Sequence, residues 1–266
     1  MPLNIFPVTI KDITPAIHGL LSRPGHEIRT TPTLVYFHGL NGSRNQIFQD
    51  RYLEFAEAIR DLGVNLFSVD LRGHGERREN KERPAIENLM KIITHKEKNP
   101  FYGAMEDIKK IFDFLVDRKI AHPAKMAVAG LAWGGMHALY ALRQERRLRC
   151  CIALLPVCKI TSLVEFKGLE KHPLIQQFEP LNFLEKLAPK PLLIVTGEKD
   201  TRADPHFAAQ LYEKLHPEYA VAEAEENLAY AMMLGAGHAY DSRLTQWTVE
   251  WLEKYLLAEE KGPMFE

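Results

Sequence analysis

The residues with the clearest chemical potential stand in a glycine-rich stretch, GLAWGG, at 130–135. The apolar run KMAVA precedes it and the pattern MHALYALRQE follows it, which predicts a strand, a tight turn and a helix. A G-x-S-x-G turn in this setting exposes a nucleophilic serine, and its glycines permit close packing. Here Gly130 and Gly134 flank the turn, but Ala132 stands in the middle and has no hydroxyl group. The sequence therefore predicts a nucleophile position without a nucleophile.

An acid and a histidine follow this turn along the chain. LLIVTGEKD ends a predicted strand at Asp200, and MLGAGHAY places His238 in a glycine-bracketed loop. In a catalytic triad the histidine accepts the proton of the nucleophile, and the acid orients the imidazole. Ala132, Asp200 and His238 are therefore candidates for the three positions of such a triad, and Asp204 and Glu198 are alternatives for its acid.

Backbone N–H groups near the turn could stabilise a developing oxyanion. YFHGLNGS, at 36–43, follows a predicted strand and can direct amides at the reacting oxygen. We expect the N–H groups of Leu40 and Trp133 to be these donors. Leu40, Trp133 and Met136 are also expected to line an apolar substrate pocket. We interpret His38 as a structural residue of its turn rather than as a second base.

Short apolar runs alternate with helical patterns along the chain, which predicts βαβ units and a mostly parallel sheet. The first two candidate strands look antiparallel or edge-like, because polar residues interrupt them. The middle ones are nearly continuous apolar runs, as expected for strands covered on both faces. The candidate strands cover 5–10, 16–22, 33–39, 64–70, 125–130, 151–157, 191–197 and 228–234.

Amphipathic patterns between these runs predict helices. They cover 52–63, 106–119, 206–215 and 242–256. Gly63 is a candidate helix-ending glycine, and the aromatic residues of 242–256 are interpreted as core. Two segments fit the alternation poorly: the charged 76–103, and 159–190, which predicts either a small lid over a pocket or an ordinary crossover helix with a longer loop. We expect a single domain over 1–266.

Composition excludes several classes of function. The 266 residues carry a formal net charge of −1, so no overall field favours nucleic acid or an anionic membrane. We see no apolar run long enough to span a bilayer and no secretory signal. Cys150, Cys151 and Cys158 form a poor disulfide framework and are expected to be buried thiols in a reducing, cytoplasmic compartment. No His-x₃-His or Cys-x-x-Cys spacing predicts a metal site, and triad chemistry needs no cofactor.

The motifs resemble a known fold family when taken together. HGLNGS, DLRGHGE, GLAWGG, TGEKD and GAGHAY, spread over 33–240, resemble α/β-hydrolase fold proteins of the esterase, dienelactone-hydrolase-like and prolyl-oligopeptidase-like kind. The resemblance implies an eight-stranded, mostly parallel sheet with helices on both faces. It also implies hydrolysis of a carboxylic ester or a related acyl bond.

Ala132 leaves two explanations open. In the first, the protein is a serine hydrolase of the carboxylesterase type that acts on a small-molecule ester, and this chain is an inactive Ser→Ala variant. In the second, it is a natural non-catalytic binding protein of the same fold. Within the enzyme class, a lactone hydrolase, a thioesterase and a peptidase share the triad and are alternatives. The acyl preference and the oligomeric state stay open.

Overall fold

The computed structural model describes residues 2–25, 31–94 and 100–258. Eight strands form one sheet in the order β1-β2-β4-β3-β5-β6-β7-β8. The strands are β1 (Asn4–Ile10), β2 (Ile17–Arg23), β3 (Thr31–Phe37), β4 (Asn65–Val69), β5 (Ala121–Leu131), β6 (Leu148–Leu154), β7 (Leu192–Gly197) and β8 (Leu228–Met233).

The strand directions confirm the predicted mixed sheet. β1 pairs with β2, and β2 with β4, in antiparallel fashion. The pairs β3–β4, β3–β5, β5–β6, β6–β7 and β7–β8 are all parallel. Because parallel strands end at the same edge, the loops that follow β3, β5, β7 and β8 meet there.

Helices cover both faces of the sheet, as predicted. In the described ranges they are α1 (Leu53–Asp61), α2 (Ala85–Thr94), α3 (Pro100–Asp117), α4 (Trp133–Gln144), α5 (Pro173–Phe178), α6 (Pro180–Phe183), α7 (Pro205–Val221) and α8 (Ser242–Leu252). The alternation of β3 separates two cores: Val35 and Phe37 pack with α3, α4 and α7, whereas Leu34 and Tyr36 pack with α1 and α8.

Two boundaries differ from the sequence prediction. β6 ends at Leu154 rather than at Val157, because Leu155 has a φ of 46° and the chain leaves the sheet there. The segment 76–103 is more than a connection, since it contains α2 and the start of α3. Leu89 and Ile93 of α2 are buried in the core. Residues 95–99 lie outside the described ranges.

The segment 159–190 folds as short helical turns together with α5 and α6. Phe166, Ile175 and Phe178 are fully buried in the core. The carboxylate of Glu179 accepts a hydrogen bond from the backbone N–H of Ile160, which ties the two halves of the segment together. The segment is therefore packed on the domain, and its action as a lid stays a prediction.

Two further expectations concern the cysteines and membrane spans. Cys150, Cys151 and Cys158 are free and buried, as predicted. Burial raises the pKa of all three thiols. Among the helices of the described ranges, none combines the length and apolar character that crossing a bilayer requires.

Candidate active site

Ala132 occupies a sharp turn between β5 and α4. Its φ of 54° and ψ of −110° lie in a region that residues with a Cβ rarely adopt, at a cost of about 1–3 kcal/mol. The N–H of Ala132 donates to the carbonyl of Leu154, and its own carbonyl accepts from the N–H groups of Met136 and Val157. These hydrogen bonds hold the turn in its strained form and fix the direction of the Ala132 side chain.

Two glycines allow this turn to approach its neighbours. A Cβ on Gly130 would lie 2.1 Å from the carbonyl oxygen of Gly134. A Cβ on Gly134 would lie 2.0 Å from the carbonyl oxygen of Phe37, in β3. Both obstacles are backbone atoms, so no change of a side-chain rotamer could relieve the clash. The glycines are therefore required for close contact of the turn, α4 and β3.

We expect Gly134→Ala to lower the free energy of unfolding by about 3 kcal/mol or more, because the added methyl group must displace β3. Urea unfolding of the variant and the parent measures this difference. Gly25→Ala is the matched control and should change stability little, because its Cβ would meet no atom of the described residues within 4 Å. Equal midpoints for Gly134→Ala and the parent would contradict this packing account.

A buried carboxylate orients a histidine beside the turn. The Asp200 side chain is 0% exposed, and its Oδ1 accepts from the N–H groups of Arg202 and Ala203 at 2.8 Å each. Its Oδ2 lies 2.7 Å from Nδ1 of His238, whose side chain is 27% exposed. Because the carboxylate accepts at Nδ1, the imidazole carries its proton there and presents a free lone pair at Nε2.

The two alternative acids have other partners. Glu198 accepts from the N–H of Gly235 through Oε2 at 2.7 Å. Asp204 caps α7 by accepting from the N–H of His206 at 2.9 Å. Of the three candidate acids, the structure places only Asp200 against His238 within the described residues.

Two histidines support the loop that carries Leu40. His38 donates from Nδ1 to the carbonyl of Gly39 at 2.8 Å, and its Nε2 accepts from the N–H of Leu71 at 3.1 Å. His74 contacts the carbonyl of Leu40 through Nε2. Burial lowers the pKa of both imidazoles. His38 therefore has a structural position, as its interpretation from the sequence required.

A cavity of about 240 Å³ brings the predicted site residues together. Its walls include Ala132, His238, Leu40 and Trp133. Trp133 is the first residue of α4, so its N–H has no partner within the helix and is available to a ligand. Met136 does not line this cavity. Its side chain is fully buried in the core, because it lies on the inner face of α4.

The sequence did not indicate several other residues of the cavity wall. One side is apolar and includes Leu155, Val157 and Leu163; the other includes Asn41, Gln46, Tyr52, Arg202 and Tyr240. The first two apolar residues were assigned to a strand, and Leu163 lies in the candidate lid. Asn41 and Tyr240 belong to the motifs HGLNGS and GAGHAY, but neither was assigned a role. Gln46, Tyr52 and Arg202 lie outside those motifs, so the sequence did not indicate them.

Besides placing Leu163 in the cavity wall, the segment 159–190 supports the site through two contacts. The ring of Phe166 stacks on Trp133, with centroids 5.6 Å apart and planes 19° from parallel. The carboxylate of Glu165 forms an ion pair with Arg202, two residues after Asp200. The segment therefore supports both the apolar wall and the loop that holds the acid.

In the described ranges, no three or more residues of the types His, Cys, Asp and Glu are grouped so that they could hold a metal ion.

We expect His137, in α4 below the turn, to make the fold sensitive to acid. Burial lowers the pKa of His137 to about 4, although its Nδ1 contacts the carbonyl of Trp133 at 2.8 Å. Below about pH 6.5 the unfolded chain binds a proton at this histidine that the folded chain does not bind. The free energy of unfolding therefore decreases as the pH is lowered. At pH 5 this one group should lower the free energy of unfolding by about 2 kcal/mol.

Urea unfolding of the parent and of His137→Gln at pH 7 and pH 5 tests the prediction, because the glutamine side chain cannot be protonated in this range. The parent should lose about 2 kcal/mol more stability between the two pH values than the variant does. His216→Gln is the control, because His216 is exposed, and it should lose as much as the parent. Equal losses for the parent and His137→Gln would contradict the account.

The sheet order and the strained turn between β5 and α4 define an α/β-hydrolase fold. A family model described as the prolyl oligopeptidase family matches residues 55–258. The chain belongs to this family of serine hydrolases. YtaP of Bacillus subtilis (strain 168), which is named as a hydrolase, is 24% identical over 211 residues, covering 76% of this chain and 68% of YtaP.

Solved structures show the same fold. TT1662 from Thermus thermophilus superposes with a TM-score of 0.73 at 21% identity, over 97% of this chain and 100% of that one. The acylaminoacyl peptidase of Pyrococcus horikoshii gives a TM-score of 0.70 at 18% identity; all of this chain covers 43% of that peptidase. The acetyl xylan esterase of Paenibacillus sp. R4 gives 0.65 at 17% identity, over 96% of this chain and 90% of the esterase.

Proposed function

We propose that the cavity is the active site of a carboxylic ester hydrolase and that residue 132 is its nucleophile position. The observation that carries the proposal is the hydrogen bond between Asp200 and His238, beside the cavity that Ala132 lines. The strained backbone at Ala132 supports it further, because such strain persists where the surrounding structure enforces it for function.

With serine at this position, each neighbouring group has a defined task. His238 accepts the serine proton at Nε2 while the oxygen attacks the ester carbonyl. The N–H groups of Leu40 and Trp133 stabilise the oxyanion. His238 then protonates the leaving alcohol, which departs and leaves the acyl group on the serine. Water, activated by the same imidazole, releases the acid.

Ala132 itself cannot form an acyl-enzyme, and we infer that it replaces a serine in this chain. A buried carboxylate is costly unless it is hydrogen-bonded, and Asp200 keeps three partners in place. These groups serve the nucleophile as a unit and contribute little to catalysis without it. Their joint presence supports a recent loss of the hydroxyl group rather than long adaptation to another task.

A short ester is the substrate that the cavity fits best. Its apolar side and its volume of about 240 Å³ suit a small acyl chain. Solved structures of this fold include an esterase and a peptidase, so the fold alone does not select the bond that is cleaved. Lactone and thioester substrates would use the same residues.

The substrate panel that tests this proposal uses the Ala132→Ser protein. We expect hydrolysis of p-nitrophenyl acetate and butyrate, a lower kcat/KM for the twelve-carbon dodecanoate, and little cleavage of the acyl peptide N-acetyl-dialanine. A kcat/KM for the acyl peptide equal to or above that of the best ester would assign the site to a peptidase. A γ-lactone and an acetyl thioester complete the panel.

Ala132 favours a second candidate function, a binding protein that retains an ester without cleaving it. In that case the Ala132 protein binds its ligand at the cavity, and the Ala132→Ser protein binds it equally well and does not hydrolyse it. Calorimetric titration of both proteins with the same short esters separates the two functions.

A further inference from the structure

A second, larger cleft adjoins the candidate active site. It encloses about 610 Å³ and shares Asn41, Gly42, Gln46 and Tyr52 with the cavity that contains Ala132. The two spaces therefore lie side by side and have these residues as a common wall. The second cleft is the neighbouring space toward which the far end of a substrate bound at Ala132 would extend.

The cleft adjoins the side of the cavity on which a leaving group must lie. His238 has to reach the leaving oxygen in order to protonate it. Tyr240, two residues later, packs against Tyr52 with ring centroids 5.0 Å apart, and Tyr52 lines both spaces. The apolar wall with Trp133 and Leu163 belongs only to the first cavity. The acyl chain therefore belongs at that wall, and the leaving group in the second cleft.

The lining of the second cleft is polar and balanced in charge. Gln49 contributes an amide, and Asp50 a carboxylate, beside the shared amide of Gln46. Its one cationic side chain, Arg78, donates from Nε to the carbonyl of Gly75 at 3.3 Å and from a terminal nitrogen to that of Arg83. Among the described residues, the lining therefore carries one positive and one negative side chain, Arg78 and Asp50, and has no net charge that would select an ion.

Amides and a carboxylate suit a ligand that offers many hydroxyl groups. A hydroxyl both donates and accepts hydrogen bonds, so it can pair with the amides of Gln46 and Gln49 and with the carboxylate of Asp50. The ring of Tyr52 gives an apolar surface against which the C–H face of a sugar ring can pack. A wholly apolar leaving group would leave these polar groups unpaired.

We propose that the second cleft binds an uncharged, polyhydroxylated alcohol, a sugar or another polyol, as the leaving group of the ester. This inference rests on the proposed ester hydrolysis and names the alcohol part of its substrate. The ester bond breaks between the carbonyl carbon and the sugar oxygen, and that oxygen takes its proton from His238.

The test compares two acetate esters in the Ala132→Ser protein. Methyl 6-O-acetyl-β-D-glucopyranoside and cyclohexylmethyl acetate are both acetates of a primary alcohol attached to a six-membered ring, but only the first has hydroxyl groups on the ring. We expect kcat/KM for the sugar ester to be at least about tenfold higher, the effect of one or two hydrogen bonds. Gln49→Leu should reduce this ratio several-fold, and the exposed change Gln246→Leu on α8 should not alter it.

The outcomes separate the inference from the proposed function. A sugar preference that Gln49→Leu reduces supports the inference. Equal rates for the two esters, or a preference that Gln49→Leu leaves intact in a folded variant, would overturn the inference alone. Faster cleavage of N-acetyl-dialanine than of the sugar ester would assign the cleft to a peptide. Failure of the Ala132→Ser protein to hydrolyse both esters and p-nitrophenyl acetate would overturn the proposed function itself.

Discussion

Ala132→Ser is expected to raise kcat/KM for p-nitrophenyl acetate by at least about 10³-fold over the chain with alanine. The serine would line the same cavity as His238, whose Nδ1 is already hydrogen-bonded to Asp200, so the other groups of the triad are in place. Without the hydroxyl only the oxyanion donors and substrate binding remain, and these give a small residual rate. Stopped assays of both proteins at equal concentration measure the gain.

The control for this gain is Ala222→Ser, the same chemical change at an exposed residue after α7. It should hydrolyse the ester no faster than the parent. A rate for Ala132→Ser within a few-fold of the parent, in a protein that unfolds at the same urea concentration, would contradict the proposed role of the turn. Ligand binding would then be the better account.

Asp200→Asn, made in the Ala132→Ser protein, is expected to lower kcat by about 10⁴-fold. The N–H groups of Arg202 and Ala203 require an acceptor at Oδ1, so the asparagine must direct its carbonyl oxygen at them. Its NH₂ group then faces Nδ1 of His238. The imidazole must accept there and carry its proton on Nε2, where it cannot take the serine proton.

Asp204→Asn is the matched control for this substitution. Asp204 caps α7 through one backbone hydrogen bond, and asparagine caps a helix about as well as aspartate. Its kcat should therefore stay close to that of the Ala132→Ser protein. If the two asparagine variants lost activity equally, Asp200 would have no special part in orienting His238.

Sequence patterns located most of the fold because continuous apolar runs and helical periodicity report burial directly. All eight strands, and the antiparallel pairing of the first two, could be predicted in this way. The end of β6 could not. Leu155 and Val157 are apolar because they line the cavity. In the sequence, apolar residues at these positions cannot be distinguished from a continuation of the strand.

Only part of the candidate site could be predicted from the sequence, for related reasons. The spacing of Ala132, Asp200 and His238 allowed three acids, and only the backbone N–H groups around Asp200 distinguish it from the other two. Met136 stands close to the turn in sequence, but the helix directs its side chain into the core. Gln46 and Tyr52 lie in two short 3-10 helices before α1. The pattern that predicts the helix over 52–63 does not indicate that the first of its residues reaches the cavity.

The most direct test of the central claim is covalent labelling of residue 132 by a serine-directed phosphonate, followed by intact-protein and peptide mass spectrometry. The account predicts one label per chain in the Ala132→Ser protein, located on residue 132, and no label in the parent. It also predicts that adding His238→Ala removes most of the labelling. An unlabelled Ala132→Ser protein, or a label on another residue, would contradict the claim that this turn is a nucleophile position served by His238.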